Sequence, residues 1–444
     1  MLVLPSRAEA RSLLALAAPL ILTQLGLVLY GTVDILFVGR LGPEAIAAVG
    51  LASISYFTVF ILGMGIVMGI DSHSSKAFGA GRPDLCGQLL IHTLALALAV
   101  AVPLWALLAF AGPVYAVIGV ERGVVTLAES YLSIMRWAMF PGLAFVACRQ
   151  FLQSMNVTKP LLAAIVLGNL VNAALDWALI FGRCGLPALG VRGSACATLT
   201  ANFVMLSIVA AASVLRLRAE GFRFHGWHRK LFEDVFYLGL PGGVQMLAEV
   251  GVFALVTALI GRLGAHALAA NQITLNLISV TFMIPMGLSH AAAVRVGQNL
   301  GRGNPKGAIE AGRTALTLAV LFMAGMGLIL AVMPRLVLGL FTSDETVLTL
   351  GTKLLYVASI FQIFDGAQAV LTGALRGSGN TRSALWANIV GHWAVGLPLG
   401  CYMAFGLGWG APGLWGGLCA GLIAVCLRLR FDWSRRAAAL SATG

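Results

Sequence analysis

The sequence predicts an all-α integral membrane protein with twelve transmembrane helices, arranged as two six-helix repeats. The composition, the lengths of the apolar runs and a match of the chain with itself lead to this prediction. Hydrophobic residues make up 59% of the 444 residues and charged residues only 10%, and the mean hydropathy is +0.92. Soluble domains carry about 25% charged residues. The composition is therefore that of a chain that lies in lipid.

Twelve apolar runs are long enough to cross a bilayer, which takes about 20 residues of α-helix. A membrane β-barrel would show shorter segments of alternating polarity, and the sequence has none. The first run is too long for a signal peptide and contains Asp34, so we predict a retained helix. The runs fall at residues 13–38, 45–70, 88–112, 125–148, 160–182, 189–215, 234–260, 267–290, 309–333, 346–373, 383–406 and 410–428.

The two halves of the chain repeat each other at a spacing of 222 to 223 residues. The segment GRLGPEAIAAVG at 39–50 is matched by GRLGAHALAANQ at 261–272, and Gly168 is matched by Gly391. Most matched positions are Gly, Pro or Ala, where turns and close backbone approach restrict the residue type. The match therefore indicates a duplicated scaffold.

The polar stretch RLRAEGFRFHGWHRK at 216–230 separates the halves. We predict a first lobe at 1–215 with helices 1–6, a cytoplasmic linker at 216–232, and a second lobe at 233–444 with helices 7–12 and a basic tail. His225 and His228 lie in this linker, but without nearby Cys or acidic partners they indicate a solvated loop rather than a metal site.

The net charge of +12 follows from the placement of the basic residues. With the N-terminus inside, most Lys and Arg residues fall in cytoplasmic segments, as the positive-inside rule requires. This distribution predicts a multi-pass protein of the cell inner membrane with both termini in the cytoplasm. It also explains the charge without a nucleic-acid partner.

Sequence motifs of enzymes are missing. The chain has no GxxxxGK[ST] nucleotide-binding loop, no HExxH and no GxSxG. We therefore predict that the protein is not an enzyme, that it has no catalytic residue and that it needs no cofactor.

Among the carboxylates inside the predicted helices, four are the clear candidates. A charged side chain at the centre of a membrane helix costs about 2.5–3.5 kcal/mol on insertion scales, so each acid is a candidate functional residue. The acids are Asp34, Asp176, Glu249 and Asp365. The repeat does not duplicate them, because the matching positions hold Val256, Leu399, Leu27 and Gly142. The halves share a scaffold but not their acidic residues.

Each acid has a polar neighbour at helical spacing. The pairs are Tyr30 with Asp34, Asn172 with Asp176, Gln245 with Glu249, and Gln368 with Asp365. Polar stripes also join Gln272 to Asn276 and Asn388 to His392. Such pairs alone are consistent with hydrogen bonds between helices. Four separate carboxylates favour a cation site, since Arg136 is the only evident basic partner in the spans and is expected to pair with Glu129 or to reach the interface.

An acidic, weakly neutralised interior within duplicated six-helix halves is typical of a secondary transporter of cations. Such transporters place their sites near the middle of the membrane and expose them alternately to each side. Because six is an even number, both halves insert in the same direction. They are then expected to be related by an axis along the membrane normal.

Several segments, in order, resemble the multidrug and toxic compound extrusion (MATE) family over essentially the whole chain. The resemblance implies a V-shaped arrangement of two six-helix lobes. It also implies export of organic cations or drugs in exchange for Na⁺ or H⁺. The segments that carry it are Pro19 and Asp34, GAGRP at 79–83, LGNLVNAALDWALIFG at 167–182, LGVRG at 189–193, Glu249, RVGQNLGRGNP at 295–305 and FDGAQAVLTGALRGSGNTR at 364–382.

The resemblance also suggests roles for individual residues. Asp34, Asn172 and Asp176 look like the cation site in the first lobe of archaeal and DinF-like members. Glu249 and Asp365 look like the acids in the second lobe of the NorM-like branch. These five residues are the candidate ion-coupling and substrate-binding residues. The expected substrate cavity adds Tyr30, Gln245, Gln272, Asn276, Phe361, Gln368 and His392, of which Phe361 stands where NorM-like members often have Tyr.

The expected partners are small cationic molecules, the lipid bilayer and Na⁺ or H⁺ as the coupling ion. No metal is expected other than Na⁺ at the acids, and the chain is expected to be a monomer. One alternative is a lipid or glycolipid flippase of the same superfamily, but anionic headgroups call for basic cavity residues and this interior offers acids. A membrane scaffold or a receptor would leave the buried acids unexplained.

Overall fold

The computed structural model describes residues 7–442, and all regular secondary structure in this range is helical. Twelve of these helical segments are long and apolar enough to cross a membrane. They are α1 Arg7–Leu41, α2 Pro43–Gly79, α3 Pro83–Val117, α4 Arg122–Ser154, α5 Lys159–Phe181, α6 Val191–Ala219, α7 Arg229–Gly261, α8 Ala265–Gly301, α9 Pro305–Val332, α10 Glu345–Ser378, α11 Arg382–Gly406 and α12 Ala411–Ala442. The predicted all-α fold with twelve membrane helices is confirmed.

Backbone contacts divide the chain into two units. The first unit is Leu22–Gly243, and the second contains the residues up to Ile21 and from Val244 onward. The division therefore falls inside α1 and α7, two residues after Pro19 and Pro241, rather than in the linker. A proline removes one backbone hydrogen bond from a helix, so each helix is weakened near the division. The lobe boundaries at 1–215, 216–232 and 233–444 stay a prediction.

In the first unit, small residues let helices approach closely. A Cβ added to Gly193 of α6 would lie 2.7 Å from the backbone of Leu179 in α5. Gly65 of α2 lies directly against the backbone of Gly243 in α7. Membrane helices associate through such contacts, because lipid gives them no hydrophobic drive to pack.

The second unit follows the same rule. Gly287 of α8 lies against Ile21 of α1, and the Arg295 guanidinium of α8 pairs with the Glu9 carboxylate at 2.5 Å. These contacts fix the first half of α1 on α8. Gly377 of α10 lies against the backbone of Ala293 in α8, where no side chain fits without displacement.

Helix α11 is irregular. Residues Ile389–Gly396 and Tyr402–Gly406 form wide π-helical turns on either side of Leu397–Cys401. Such turns occur often at functional sites. The first of them carries His392, which is buried.

The crossing of α8 and α10 leads to a stability prediction. We expect Gly377→Ala to lower the free energy of unfolding by about 1–3 kcal/mol, because the new methyl group overpacks the contact with Ala293. The matched control is Gly325→Ala on α9, which has open space around the added carbon and should change stability by less than about 1 kcal/mol. Thermal unfolding of the purified protein in detergent measures both. Equal melting temperatures for the two variants would contradict the close crossing.

Candidate functional site

The structure brings three predicted site residues together in the first unit. Asp34 of α1 lies beside Asn172 and Asp176, which share one face of α5. Asp34 is 7% exposed, and the other two are fully buried. The spacing of four residues between Asn172 and Asp176 is what turns both side chains toward α1.

Two polar residues that sequence analysis did not single out complete this cluster. Thr198 of α6 donates its hydroxyl to Asp34 Oδ2 at 3.1 Å, and the Tyr30 hydroxyl donates to the Thr198 carbonyl at 3.0 Å. Tyr131 of α4 is buried next to both acids. The only sequence signal for Thr198 and Tyr131 was a polar group in an apolar helix, and many such groups bond only within their own helix.

Several polar side-chain atoms of this cluster have no hydrogen-bond partner. Asp34 Oδ1, both carboxylate oxygens of Asp176 and both polar atoms of the Asn172 amide are buried without a hydrogen-bond partner. No Lys or Arg pairs with either acid among residues 7–442. A buried acceptor without a donor costs about 1–3 kcal/mol, and more when it is charged. The cluster therefore offers ligands for a proton or for a hard cation, which prefers oxygen.

Arg136, the basic residue that the sequence offered as a partner for the acids, contacts an aromatic ring instead. The Arg136 guanidinium lies over the Trp105 ring, 4.7 Å from its centroid, and forms no ion pair with Glu129, which was one of the two alternatives expected for it. A cation–π contact of this kind stabilises a guanidinium within an apolar helix bundle, and the Nε–H group of Arg136 is buried without a hydrogen-bond partner. Arg136 is thus not the countercharge for Asp34 or Asp176.

The second unit holds a second acidic cluster. Glu249 of α7 accepts hydrogen bonds from Gln245 Nε2 at 3.4 Å and from Gln368 Nε2 of α10 at 3.1 Å. Asp365 of α10 faces Glu249 and is 9% exposed. Gln368 therefore bonds across to Glu249 rather than to Asp365, its expected neighbour. Asp365 itself has no hydrogen bond within the described part of the chain.

His392 lies close to this second cluster. Its ring centroid is 6.4 Å from that of Phe253, which is one helical turn beyond Glu249 on α7. The next residue, Trp393, donates its indole N–H to the Ala248 carbonyl at 3.1 Å, which ties α11 to α7. Both ring nitrogens of His392 are buried without a partner. A neutral His392 can therefore donate one hydrogen bond and accept another at this place.

The arrangement of two unpaired acid clusters on a duplicated helical scaffold can be compared with known proteins. The MatE family model matches residues 19–178 and 241–402, and the two matched segments begin on Pro19 and Pro241. They cover more than half of the chain.

The chain belongs to the MATE family.

Its relatives match along nearly their whole length. A probable multidrug resistance protein NorM of Mesorhizobium japonicum is 34% identical over 443 residues, covering 97% of this chain and 94% of that protein. A probable multidrug resistance protein NorM of Burkholderia mallei is 37% identical over 434 residues, covering 96% and 92%. The crystal structure of the eukaryotic MATE transporter AtDTX14 has a TM-score of 0.88 at 24% identity and covers 98% of each chain, so the fold is the same.

Three residues predicted for the substrate cavity of this MATE protein lie outside both clusters. Gln272 and Asn276 are exposed on α8, and the Asn276 amide donates to the Gln272 carbonyl at 3.0 Å. Phe361 is fully buried, with edge-to-face contacts to Phe253 and Trp415 at 6.0 and 5.5 Å between centroids. Its side chain therefore belongs to the apolar core of the second unit. Contact of these three residues with a substrate stays a prediction.

The hydrogen bond from Thr198 can be tested by itself. Thr198→Val keeps the shape of the side chain but removes the donor to Asp34. We expect it to lower the free energy of unfolding by about 1–3 kcal/mol, because a bond to a carboxylate is lost in a buried place. The control is Thr200→Val, whose exposed hydroxyl bonds only to the Cys196 carbonyl of its own helix and whose loss should change stability by about 0.5 kcal/mol or less. If both variants unfold at the same temperature in detergent, Thr198 does not hold Asp34.

Proposed function

We propose that this MATE protein is a secondary active antiporter that exports organic cations, including drugs, in exchange for Na⁺ or H⁺. The observation that carries the proposal is the pair of acid clusters without basic partners, buried Asp34 with Asp176 and partly buried Glu249 with buried Asp365. The names of the relatives, which are multidrug resistance proteins, support the choice of drugs as substrates.

The exchange follows from the cost of the unpaired charges. Two carboxylates that face each other away from water cannot both stay ionised cheaply, so a proton, a Na⁺ ion or an organic cation stabilises them. When the coupling ion occupies a cluster, the negative charge that attracts the drug is gone. Such competition exchanges one cation for the other when the site opens to each side in turn.

The four acids and Asn172 are assigned to this exchange, and Gln245 and Gln368 orient Glu249 through the hydrogen bonds described above. The membrane is proposed to be the cell inner membrane, with both termini in the cytoplasm and the chain acting as a monomer. The flippase alternative would need cationic groups at these clusters. In residues 7–442 no Lys or Arg forms an ion pair with any of the four acids, which favours cations as substrates.

The first functional prediction concerns the acids themselves. We expect Asp34→Asn, Glu249→Gln and Asp365→Asn each to abolish ion-driven efflux, because the amide keeps the shape but removes the charge for which the cations compete. The variants should insert into the membrane in the same amount as the unsubstituted protein. The measurement is efflux of a dye cation from vesicles under a Na⁺ or H⁺ gradient.

The matched control is Glu44→Gln, which neutralises an exposed acid in the first turn of α2 and should leave efflux intact. Normal efflux by Asp34→Asn would leave this residue with a structural role only. Translocation of a lipid reporter without dye efflux would favour the flippase instead.

The second functional prediction concerns binding at equilibrium. We expect dye-cation affinity for the purified protein to fall as pH falls if H⁺ is the coupling ion, or as Na⁺ rises if Na⁺ is. The reason is that the coupling ion removes the negative charge that holds the dye. The same titration on the Glu249→Gln/Asp365→Asn double variant shows whether the second cluster carries the effect. An affinity that neither pH nor Na⁺ changes would rule out competition.

A further inference from the structure

The start of α1 is fixed to α8 by an ion pair. Arg295 Nε donates to Glu9 Oε1 at 3.1 Å, and Arg295 Nη2 donates to Glu9 Oε2 at 2.5 Å. The Arg295 and Glu9 side chains are only 17% and 14% exposed. A paired guanidinium–carboxylate contact of this kind sets the orientation of both partners as well as their distance. Neither residue belongs to the two acid clusters.

The repeat duplicates this helix crossing but not the ion pair. At the spacing of 222 residues, α2 and the start of α7 in the first unit correspond to α8 and the start of α1 in the second. His73 stands at the position of Arg295, and Leu231 stands at the position of Glu9. Leucine cannot form an ion pair, yet α2 and α7 still cross in close contact. The ion pair is therefore not needed to form a crossing of this kind.

Glycines hold the crossing of the first unit. A Cβ added to Gly65 of α2 would lie 2.6 Å from the backbone nitrogen of Gly243 in α7. A Cβ added to Gly69, one turn further along α2, would lie 2.8 Å from the backbone nitrogen of Gly239. Two successive contacts between glycines let the helix backbones touch without any charged group. The start of α7 is thus attached to α2 by its backbone.

The second unit keeps only one of these four glycines, Gly287. The other three equivalent positions hold Ile21, Ala17 and Ala291. A side chain occupies each of these places, so the backbones cannot approach there as two glycines do. The Glu9–Arg295 pair supplies an attachment that the first unit does not need.

Helix α1 belongs to both units. Its residues up to Ile21 are in the second unit, and those from Leu22 onward, including Asp34, are in the first. Glu9 and Asp34 are 25 positions apart in the sequence, which is about 38 Å of helix. A helix that is held at both ends passes a change of shape at one end to the other. The attachment at Glu9 therefore decides whether a change at Asp34 reaches the second unit.

We propose that Glu9 and Arg295 are positioning residues of the antiport. Their ion pair anchors the start of α1, so that occupancy of Asp34 by the coupling ion changes access to the second cluster, Glu249 and Asp365. The anchor itself contacts no transported cation. Without it, both clusters still bind cations, but binding at one no longer drives release at the other. This role rests on the function proposed above.

The first test compares efflux with binding for full-length protein. We expect Arg295→Gln to lower ion-driven efflux of a dye cation from vesicles at least about fivefold, because a coupling between sites is lost. Dye affinity of the purified variant at equilibrium should stay within about twofold, because the clusters are untouched. The charge swap Glu9→Arg/Arg295→Glu rebuilds the pair and should restore about half of the lost efflux or more.

The matched control is Arg229→Gln, which breaks an ion pair with Glu233 on α7 in which Arg229 is 87% exposed. It should leave efflux intact. Normal efflux by Arg295→Gln would overturn the anchor, and so would a charge swap that exports no better than the single variant. Loss of dye binding together with efflux would also overturn it, because Arg295 would then act on the binding site.

The second test does not depend on transport. Amide hydrogen exchange of residues 7–18 in the purified protein reports how often the start of α1 opens. Arg295→Gln should raise this exchange at least about tenfold, because a bond to a charged group is lost, and the charge swap should slow it again. Unchanged exchange would overturn the anchor. If no ion gradient drives dye efflux by the unsubstituted protein, the antiport fails while exchange still decides the anchor.

Discussion

The free-energy cost of keeping carboxylates among apolar helices is the constraint on which the function depends. Each such acid costs about 2.5–3.5 kcal/mol on insertion scales. Soluble proteins and many membrane proteins offset this cost with a fixed Arg or Lys. Here no Lys or Arg in residues 7–442 forms an ion pair with the four acids, and Arg136 lies over Trp105 instead. A mobile cation as the compensating charge is what the proposed antiport requires.

The duplicated scaffold and the unduplicated acids have different physical origins. The contact of Gly65 with Gly243 and that of Gly287 with Ile21 correspond under the repeat spacing of 222 residues. In both contacts a Cβ added to Gly65 or Gly287 would lie within 3.0 Å of the backbone of the other helix, so the residue type at this glycine is restricted in both halves. The place of Asp34 is taken in the second half by Val256, which packs in the apolar core. Each unit therefore keeps the same helix crossings and uses a different set of acids.

The fold was predictable from the sequence because hydropathy alone marks helices that must satisfy their backbone in lipid. The pairing of Asn172 with Asp176 was also predictable, because it depends only on spacing along one helix. Contacts between different helices were not predictable from the sequence. Gln368 bonds to Glu249 rather than to its helix neighbour, and Thr198 reaches Asp34 from another helix. Their geometry depends on helix rotation, which a single sequence does not encode locally.

The division of the chain after Pro19 and Pro241 bears on the ancestry of the protein. Residues 229–243, from the second repeat, complete the first unit, and the part of α1 that ends at Ile21, from the first repeat, completes the second. A single repeat cut out at the linker would lack one of its own packing segments. Two copies would supply these segments to each other by exchange, as in a domain-swapped dimer. Gene fusion of such a dimer would give a chain whose halves cannot fold alone.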